Sequence, residues 1–269
     1  MSNRFQHDGI TFHYRDVGQG IPFVFQHGLG GDVNQPCGLF RPPAGVRLIA
    51  FDCRAHGETQ PLGPVDRIGI ASFTDDLAAL LDDLGIDRIV IGGISMGAAV
   101  AIHFALRWPR RVMGLVQSRP AWLQGPIREN TKLFSRIADL LCDHGPRRGR
   151  ELFCRSDVYA QVMAESPDTA SSLAGQFDSP LAVERAVRLR RIPLDAPYDR
   201  LSELNGIDVP TIVMANRQDP IHLFDYGQAI AAQIQGAEFR ELTPKSVSPE
   251  RHADDIQRHL EDFFENYYL

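Results

Sequence analysis

The sequence predicts an α/β fold, with a mostly parallel central sheet flanked by helices and an inserted helical cap. Short apolar runs alternate along most of the chain with longer segments that carry apolar residues at helical spacing. One long region between two of these runs is helical in pattern throughout. With 269 residues, the chain can bury one large core without a further domain.

The strand candidates are short apolar runs bounded by turn signals or by the start of a helical pattern. In chain order they are 10–14, 22–26, 47–52, 88–92, 112–117, 211–215 and 238–242. Helices are expected between and after them, at 72–84, 96–107, 223–234 and 249–267. Because a helix between two strands lets the second strand run in the same direction as the first, this order favours parallel pairing.

The alternation stops in the region from residue 119 to residue 204, where no convincing strand pattern occurs. Apolar residues at helical spacing between 133 and 141 mark an amphipathic helix, and shorter helical patterns follow. We therefore expect a core built from residues 1–118 and 205–269, with residues 119–204 inserted as the cap. Such an insertion would cover the carboxyl edge of the sheet, where open α/β folds bind ligands.

The composition argues against several classes of partner. The net charge of −6 lacks the basic surplus that nucleic-acid binding demands, so we expect no nucleic-acid partner. The sequence contains no run of roughly 20 apolar residues and no apolar signal core near its start, which favours a cytoplasmic protein without membrane contact. The four cysteines lack metal-site spacing. We expect a small-molecule partner, and the oligomeric state stays open.

The segment Gly93-Ile94-Ser95-Met96-Gly97 joins a predicted strand to a predicted helix. Glycines two residues before and two residues after the serine allow a tight turn, because a β-carbon at either position would collide with neighbouring backbone. Such a turn exposes the serine hydroxyl at the start of a helix. Ser95 is therefore the candidate nucleophile.

Two further segments complete a known pattern. Residues 26–31 read Gln-His-Gly-Leu-Gly-Gly and are similar to an H-G-x-G oxyanion loop, and residues 52–59 are similar to a D-x-R-G-H-G-x-S segment, with Ala55 where glycine is usual. Together with the serine turn, they make the chain resemble the α/β-hydrolase fold family over essentially its whole length. In such a site the backbone N–H groups of Leu29 and Met96 would converge on one oxygen.

The resemblance implies that an acid and then a histidine follow the serine along the chain. Asp219 comes shortly after the predicted strand at 211–215 and is the expected acid. The histidine usually lies in a loop after the last strand, but residues 242–248 contain none.

The nearest candidate for the histidine is His252, which falls in the first turn of the last helix if Ser248 caps that helix. Its spacing to Ile256 and Leu260 places it on the inward stripe, where an imidazole would tend to stay neutral, as a general base must. His222 is the second candidate. It follows Asp219 by three residues, so we expect that it would need a different acid.

These residues predict a cofactor-independent serine hydrolase that cleaves an ester or thioester of a small acyl compound through an acyl-enzyme on Ser95. No metal is required for this chemistry. Hydrolysis of a carbon–carbon bond, acyl transfer or a lyase reaction would use the same groups. A hydrolase-like protein that binds a ligand without turnover also stays open.

The cap offers a few candidates for substrate contact. Trp122 and Phe134 are the candidates to line an apolar pocket, and core packing would explain them equally well. Arg185, Arg188 and Arg191 lie at helical spacing and would suit an anion if they faced that pocket, but a solvated helix face is the favoured interpretation.

Overall fold

A computed structural model describes residues 2–125 and 129–269. In these residues, a single sheet contains eight strands. They are β1 (Ser2–His7), β2 (Ile10–Gly18), β3 (Gly20–Gln26), β4 (Gly45–Phe51), β5 (Ile89–Ile94), β6 (Val112–Ser118), β7 (Thr211–Ala215) and β8 (Glu238–Glu241).

The strands are ordered β1-β2-β4-β3-β5-β6-β7-β8 across the sheet. β2 pairs antiparallel with β1 and with β4, and every later pair from β4 to β8 is parallel. The predicted α/β fold with a mostly parallel sheet is therefore confirmed. The carboxyl ends of β3, β5, β6 and β7 meet at one edge, and the candidate site lies there.

Helices cover both faces of the sheet. α2 (Ile70–Asp83), α3 (Met96–Arg107) and α8 (Phe224–Gln233) contribute to one apolar layer, while α1 (Asn34–Leu39) and α9 (Pro249–Tyr267) flank the other. α3 and α9 have the predicted bounds. The predicted N-cap of α9 also forms, because the Ser248 side chain accepts a hydrogen bond from the Arg251 amide.

The segment between β6 and β7 contains helices and no strand in its described part. The main helices are α4 (Lys132–Cys154), α5 (Asp157–Glu165), α6 (Pro167–Gly175) and α7 (Val187–Arg191). They enclose an apolar cluster of their own, which includes Phe134 and also takes in Ile221 from the loop after β7. Leu29 packs against both this cluster and the larger core, so it lies at the junction of the two.

A solvated helix face was the favoured interpretation for Arg185, Arg188 and Arg191, and it is wrong for the first two. Arg185 and Arg188 are 4% and 2% exposed. The Arg185 guanidinium donates to the carbonyls of Gly57 and Thr59, and the Arg188 guanidinium donates to the carbonyl of Ala55 at 2.6 Å. These arginines tie the helical segment between β6 and β7 to the loop after β4, because a guanidinium can satisfy several backbone carbonyls at once.

Two kinds of feature are absent from the described residues. No helix there combines the length and the apolar character needed to span a bilayer. Likewise, in residues 2–125 and 129–269 no group of three or more His, Cys, Asp and Glu side chains is arranged to hold a metal ion.

Candidate active site

Ser95 occupies a strained turn between β5 and α3. Its backbone angles are φ 56° and ψ −109°, a region that residues with a side chain rarely adopt. A β-carbon on Gly93 would lie 2.1 Å from the carbonyl carbon of Gly97, and one on Gly97 would lie 2.2 Å from the carbonyl oxygen of Gln26. Both glycines are therefore required for this turn, which presents the Ser95 side chain at the carboxyl edge of the sheet.

A cavity of about 90 Å³ opens at Ser95. Leu29 and Phe134, two of the predicted site residues, contribute to its wall. Ionisable side chains line it as well: Arg119 after β6, Asp168 from α6, His222 after β7 and Lys245 after β8. The nucleophile candidate thus shares one small cavity with a histidine and two cations.

The loop after β3 is held in place by side chains. The Gly28 amide donates to Gln35 Oε1 at 2.7 Å, and both ring nitrogens of His27 are bonded to backbone groups. Leu29 lies against the cavity as the next residue of this loop. Met96 is the first residue of α3, where helix geometry leaves the backbone N–H without an intrahelical partner. Leu29 therefore lines the Ser95 cavity, and Met96 directly follows Ser95 at the start of α3.

Asp219 is buried and fully hydrogen bonded. Its Oδ1 accepts from the amides of Ile221 and His222 at 3.1 and 3.0 Å. Its Oδ2 accepts from Arg119 Nη2 at 2.6 Å and lies 2.8 Å from His222 Nδ1. Burial alone would raise the pKa of Asp219, but the neighbouring His222 and Arg119 outweigh it and hold the pKa well below its usual range. Asp219 is therefore a carboxylate at neutral pH.

The contacts of His222 fix its tautomer. A carboxylate only accepts, so the 2.8 Å contact with Asp219 requires a proton on Nδ1. Arg119 Nη2 also lies 3.1 Å from this nitrogen, but a guanidinium only donates and cannot bond a protonated Nδ1. Nε2 therefore carries the lone pair. It is buried, and no described residue bonds to it.

His222 is kept neutral by its surroundings. Burial lowers the pKa of its imidazole, the Asp219 carboxylate opposes that shift, and the positive charge of Arg119 adds to it. A neutral imidazole with a free Nε2 at the wall of the Ser95 cavity is equipped to accept a proton. The expectation that His222 would need a different acid is wrong, because Asp219 itself is its partner.

His252 lies in the first turn of α9 and points inward, as predicted, but it is not brought to the acid. Its Nδ1 lies 2.8 Å from the carbonyl oxygen of Thr243, while the Asp219 side chain bonds to other groups. His252 is fully buried and does not line the cavity at Ser95. Burial, reinforced by the charge of Arg119, lowers the pKa of His252 to about 4.

Trp122 also lies away from the cavity. It packs in the main core at 6% exposure, and its indole N–H donates to the carbonyl of Asp195 at 2.9 Å. The indole is satisfied by this bond, since a buried Trp needs one acceptor. The structure therefore places Trp122 in the core and not at the wall of the Ser95 cavity.

Sequence reasoning missed two residues of the site. Arg119 follows β6 directly and clamps Asp219 with Nε and Nη2. Lys245 lies in the loop after β8, where the sequence pattern called for a histidine. Burial lowers the pKa of Lys245, and the charge of Arg119 lowers it further. The sequence does show a cation after each of two predicted strands, and α/β folds bind ligands at the carboxyl ends of their strands.

Comparison with known proteins identifies the family. The family model for the α/β hydrolase fold matches residues 21–246. The chain is 37% identical over 223 residues to a 2-hydroxy-6-oxo-2,4-heptadienoate hydrolase of Pseudomonas putida, covering 79% of this chain and 77% of the relative.

Two solved structures share the fold. The enol-lactonase from Burkholderia xenovorans LB400 has a TM-score of 0.74 at 23% identity, covering 98% of this chain and 100% of that one. A thermophilic esterase from Thermogutta terrifontis has a TM-score of 0.72 at 23% identity, covering 98% and 99%. With its sheet order, its strained serine turn and the family match over most of its length, the chain belongs to the α/β-hydrolase fold family.

Proposed function

We propose that the protein is a serine hydrolase that cleaves an ester or thioester of a small acyl compound, with Ser95, His222 and Asp219 as its triad. One observation carries the proposal. The Asp219 carboxylate accepts a hydrogen bond from His222 Nδ1 at 2.8 Å. His222 also lines the Ser95 cavity, and its Nε2 has no partner among the described residues. This is the arrangement in which a histidine can act as base toward a serine hydroxyl.

In the first half of the reaction, His222 Nε2 takes the proton of the Ser95 hydroxyl as Oγ attacks the carbonyl carbon. The amides of Leu29 and Met96 stabilise the oxyanion that forms. The tetrahedral intermediate then collapses, and the protonated His222 gives its proton to the leaving alcohol or thiol. The acyl group stays on Ser95 Oγ.

In the second half, His222 takes a proton from water, and the oxygen of that water attacks the acyl carbonyl. Collapse of the second intermediate releases the carboxylic acid and returns the proton to Ser95. Asp219 stabilises the imidazolium in both halves and does not itself take the proton. All of these groups belong to the chain, so the mechanism needs no cofactor.

The small cavity favours a short acyl group over a long one. A volume of about 90 Å³ bounded by Leu29 and Phe134 leaves room for a few carbon atoms on the acyl side of the scissile bond. Hydrolysis of a 2-hydroxy-6-oxo-dienoate is the second candidate function, because the relative with that name is 37% identical over most of the chain. The two candidates use the same triad and differ in the bond that is cleaved.

The test is intact-mass spectrometry after treatment with a fluorophosphonate, followed by a panel of short and long aryl esters, acyl thioesters and an oxo-dienoate. We expect one covalent adduct on the wild type and none on Ser95→Ala. Ser118→Ala is the matched control, because Ser118 is a buried serine at the end of the adjacent strand, and it should label like the wild type. A folded wild type that neither labels nor turns over any substrate would contradict the proposal.

A further inference from the structure

We propose that Lys245 forms an anion subsite in the cavity, so that the preferred acyl group carries its own carboxylate. This inference rests on the proposed serine hydrolase and names its substrate class: a half-ester or half-thioester of a short dicarboxylic acid. The charged side chains of the cavity differ in whether they already have partners within the protein.

Lys245 lines the same cavity as Ser95 and has no partner in it. In residues 2–125 and 129–269, no hydrogen bond or ion pair involves its ammonium group. Lys245 is partly buried, and an ammonium group partly removed from water without an acceptor gains from an anion that enters the cavity. The lysine is therefore placed to bind a group that arrives with the substrate.

The other charges of the cavity leave this role to Lys245. Arg119 is committed to Asp219 through Nε and Nη2, so its charge is balanced within the protein. His222 is neutral. Asp168, in the first turn of α6, also lines the cavity, but its carboxylate forms no ion pair with Lys245. Asp168 therefore repels an incoming anion while Lys245 attracts it.

A carboxylate fits this subsite better than a phosphate group. One free ammonium balances one negative charge, whereas a phosphate monoester brings close to two charges and three strong acceptor oxygens. Ser95 and Lys245 line one cavity of about 90 Å³. Because Ser95 and Lys245 share this space, only a few carbon atoms separate the scissile carbonyl from the bound carboxylate.

The experiment compares 4-nitrophenyl hydrogen glutarate with 4-nitrophenyl methyl glutarate, in which the distal carboxylate is capped as a methyl ester. The measured quantity is the ratio of kcat/KM for the charged ester to kcat/KM for the capped ester. In Lys245→Met we expect this ratio to fall by about 10- to 100-fold, the range of a hydrogen bond to a charged group. Lys245→Arg keeps the cation and should retain most of the ratio.

Asp168→Asn is the control that removes the opposite charge from the same cavity. Removal of its negative charge should raise the ratio by roughly two- to fivefold, as for a partly exposed charge pair. An equal loss of kcat/KM for both esters in Lys245→Met would overturn the proposal, because it would assign Lys245 to the chemistry rather than to recognition. An unchanged ratio in Lys245→Met would also overturn it.

The failure of this proposal is distinguishable from failure of the proposed function. Fluorophosphonate labelling of Ser95 reports the activated serine independently of the choice of ester. If the wild type labels and hydrolyses both esters with equal efficiency, the serine hydrolase stands and the anion subsite is refuted. If monomethyl glutarate slows the labelling of the wild type but not of Lys245→Met, the subsite is supported without any turnover.

Discussion

Two histidines at the carboxyl edge of the sheet look alike at first and differ in what they can do. His222, in the loop after β7, and His252, in the first turn of α9, are both enclosed by protein and shifted toward the neutral form. Each donates from Nδ1 and leaves Nε2 buried without a partner among the described residues. His222 donates to the carboxylate of Asp219, whereas His252 donates to the backbone carbonyl of Thr243.

This difference decides which ring suits general base catalysis. When a base takes a proton from serine it becomes an imidazolium, and a carboxylate acceptor stabilises that cation far better than a neutral carbonyl does. The second requirement is access to the reacting atom. His222 lines the cavity at Ser95, and His252 does not. A favourable protonation state is therefore insufficient without the acid and the cavity.

The largest expected effect comes from making the surroundings of His222 resemble those of His252. Asp219→Asn replaces the carboxylate by a neutral amide of the same shape. We expect kcat to fall by about 10⁴-fold, because the amide stabilises the imidazolium poorly and allows the wrong tautomer. Steady-state kinetics on an aryl ester measures the loss, and circular dichroism checks the fold. A loss of less than tenfold in a folded variant would show that Asp219 does not serve His222.

An intermediate effect is expected from Arg119, which shares Asp219 with His222. Arg119→Met removes a charge-assisted hydrogen bond to Asp219, and we expect kcat/KM at neutral pH to fall by about 10- to 100-fold.

The same variant should also change the pH profile in a defined direction. The base must be neutral, so activity is lost as the pH falls through the pKa of His222, which lies below its ordinary value. Because Arg119 lowers that pKa, its removal should move the acid limb of kcat/KM to higher pH. A limb that stays in place or moves to lower pH would contradict the coupling.

The smallest catalytic effect is expected at His252, where stability should change instead. The pKa of His252 is about 4 in the folded protein and ordinarily about 6.5, so the unfolded chain binds a proton first as the pH falls. This group therefore lowers the free energy of unfolding by about 3 kcal/mol between about pH 6.5 and pH 4.

His252→Gln should remove much of that pH dependence, because glutamine does not titrate and its amide can still donate to the Thr243 carbonyl. Chemical denaturation at pH 7 and at pH 4.5 measures the difference from the wild type. We expect kcat at pH 7 to stay within about threefold of the wild type, because His252 makes no interaction that is specific to the transition state. An unchanged pH dependence of stability would contradict the burial of a neutral His252.

The sequence was sufficient for the sheet core and for the serine turn, because both depend on local patterns. Gly93 and Gly97 are required because a β-carbon at either position would lie only 2.1 or 2.2 Å from a backbone atom, and α3 begins directly after the turn. β1 was missed because its described residues show only one buried apolar side chain, Phe5, and its structure depends on antiparallel pairing with β2. Such pairing is a tertiary effect that a single-strand pattern does not contain.

The choice of histidine depended on loop geometry that residue spacing does not reveal. Asp219 bonds the amides two and three residues ahead, and this turn brings the ring of His222 back to the other carboxylate oxygen. Hydrogen bonding of this local type is common for Asp in turns, but a three-residue spacing alone does not distinguish it from a surface loop. The burial of Arg188 was unpredictable for a similar reason, since its acceptor lies 133 residues earlier in the chain.

The most direct test of the account compares His222→Ala and His252→Ala in the first turnover of 4-nitrophenyl acetate, measured by stopped-flow release of nitrophenolate. We predict a burst of acyl-enzyme formation in His252→Ala, at a rate near that of the wild type. His222→Ala should show no burst and a rate of acylation lower by roughly 10⁴- to 10⁶-fold. A burst that survives in His222→Ala and disappears in a folded His252→Ala would contradict the central claim and assign the base to α9.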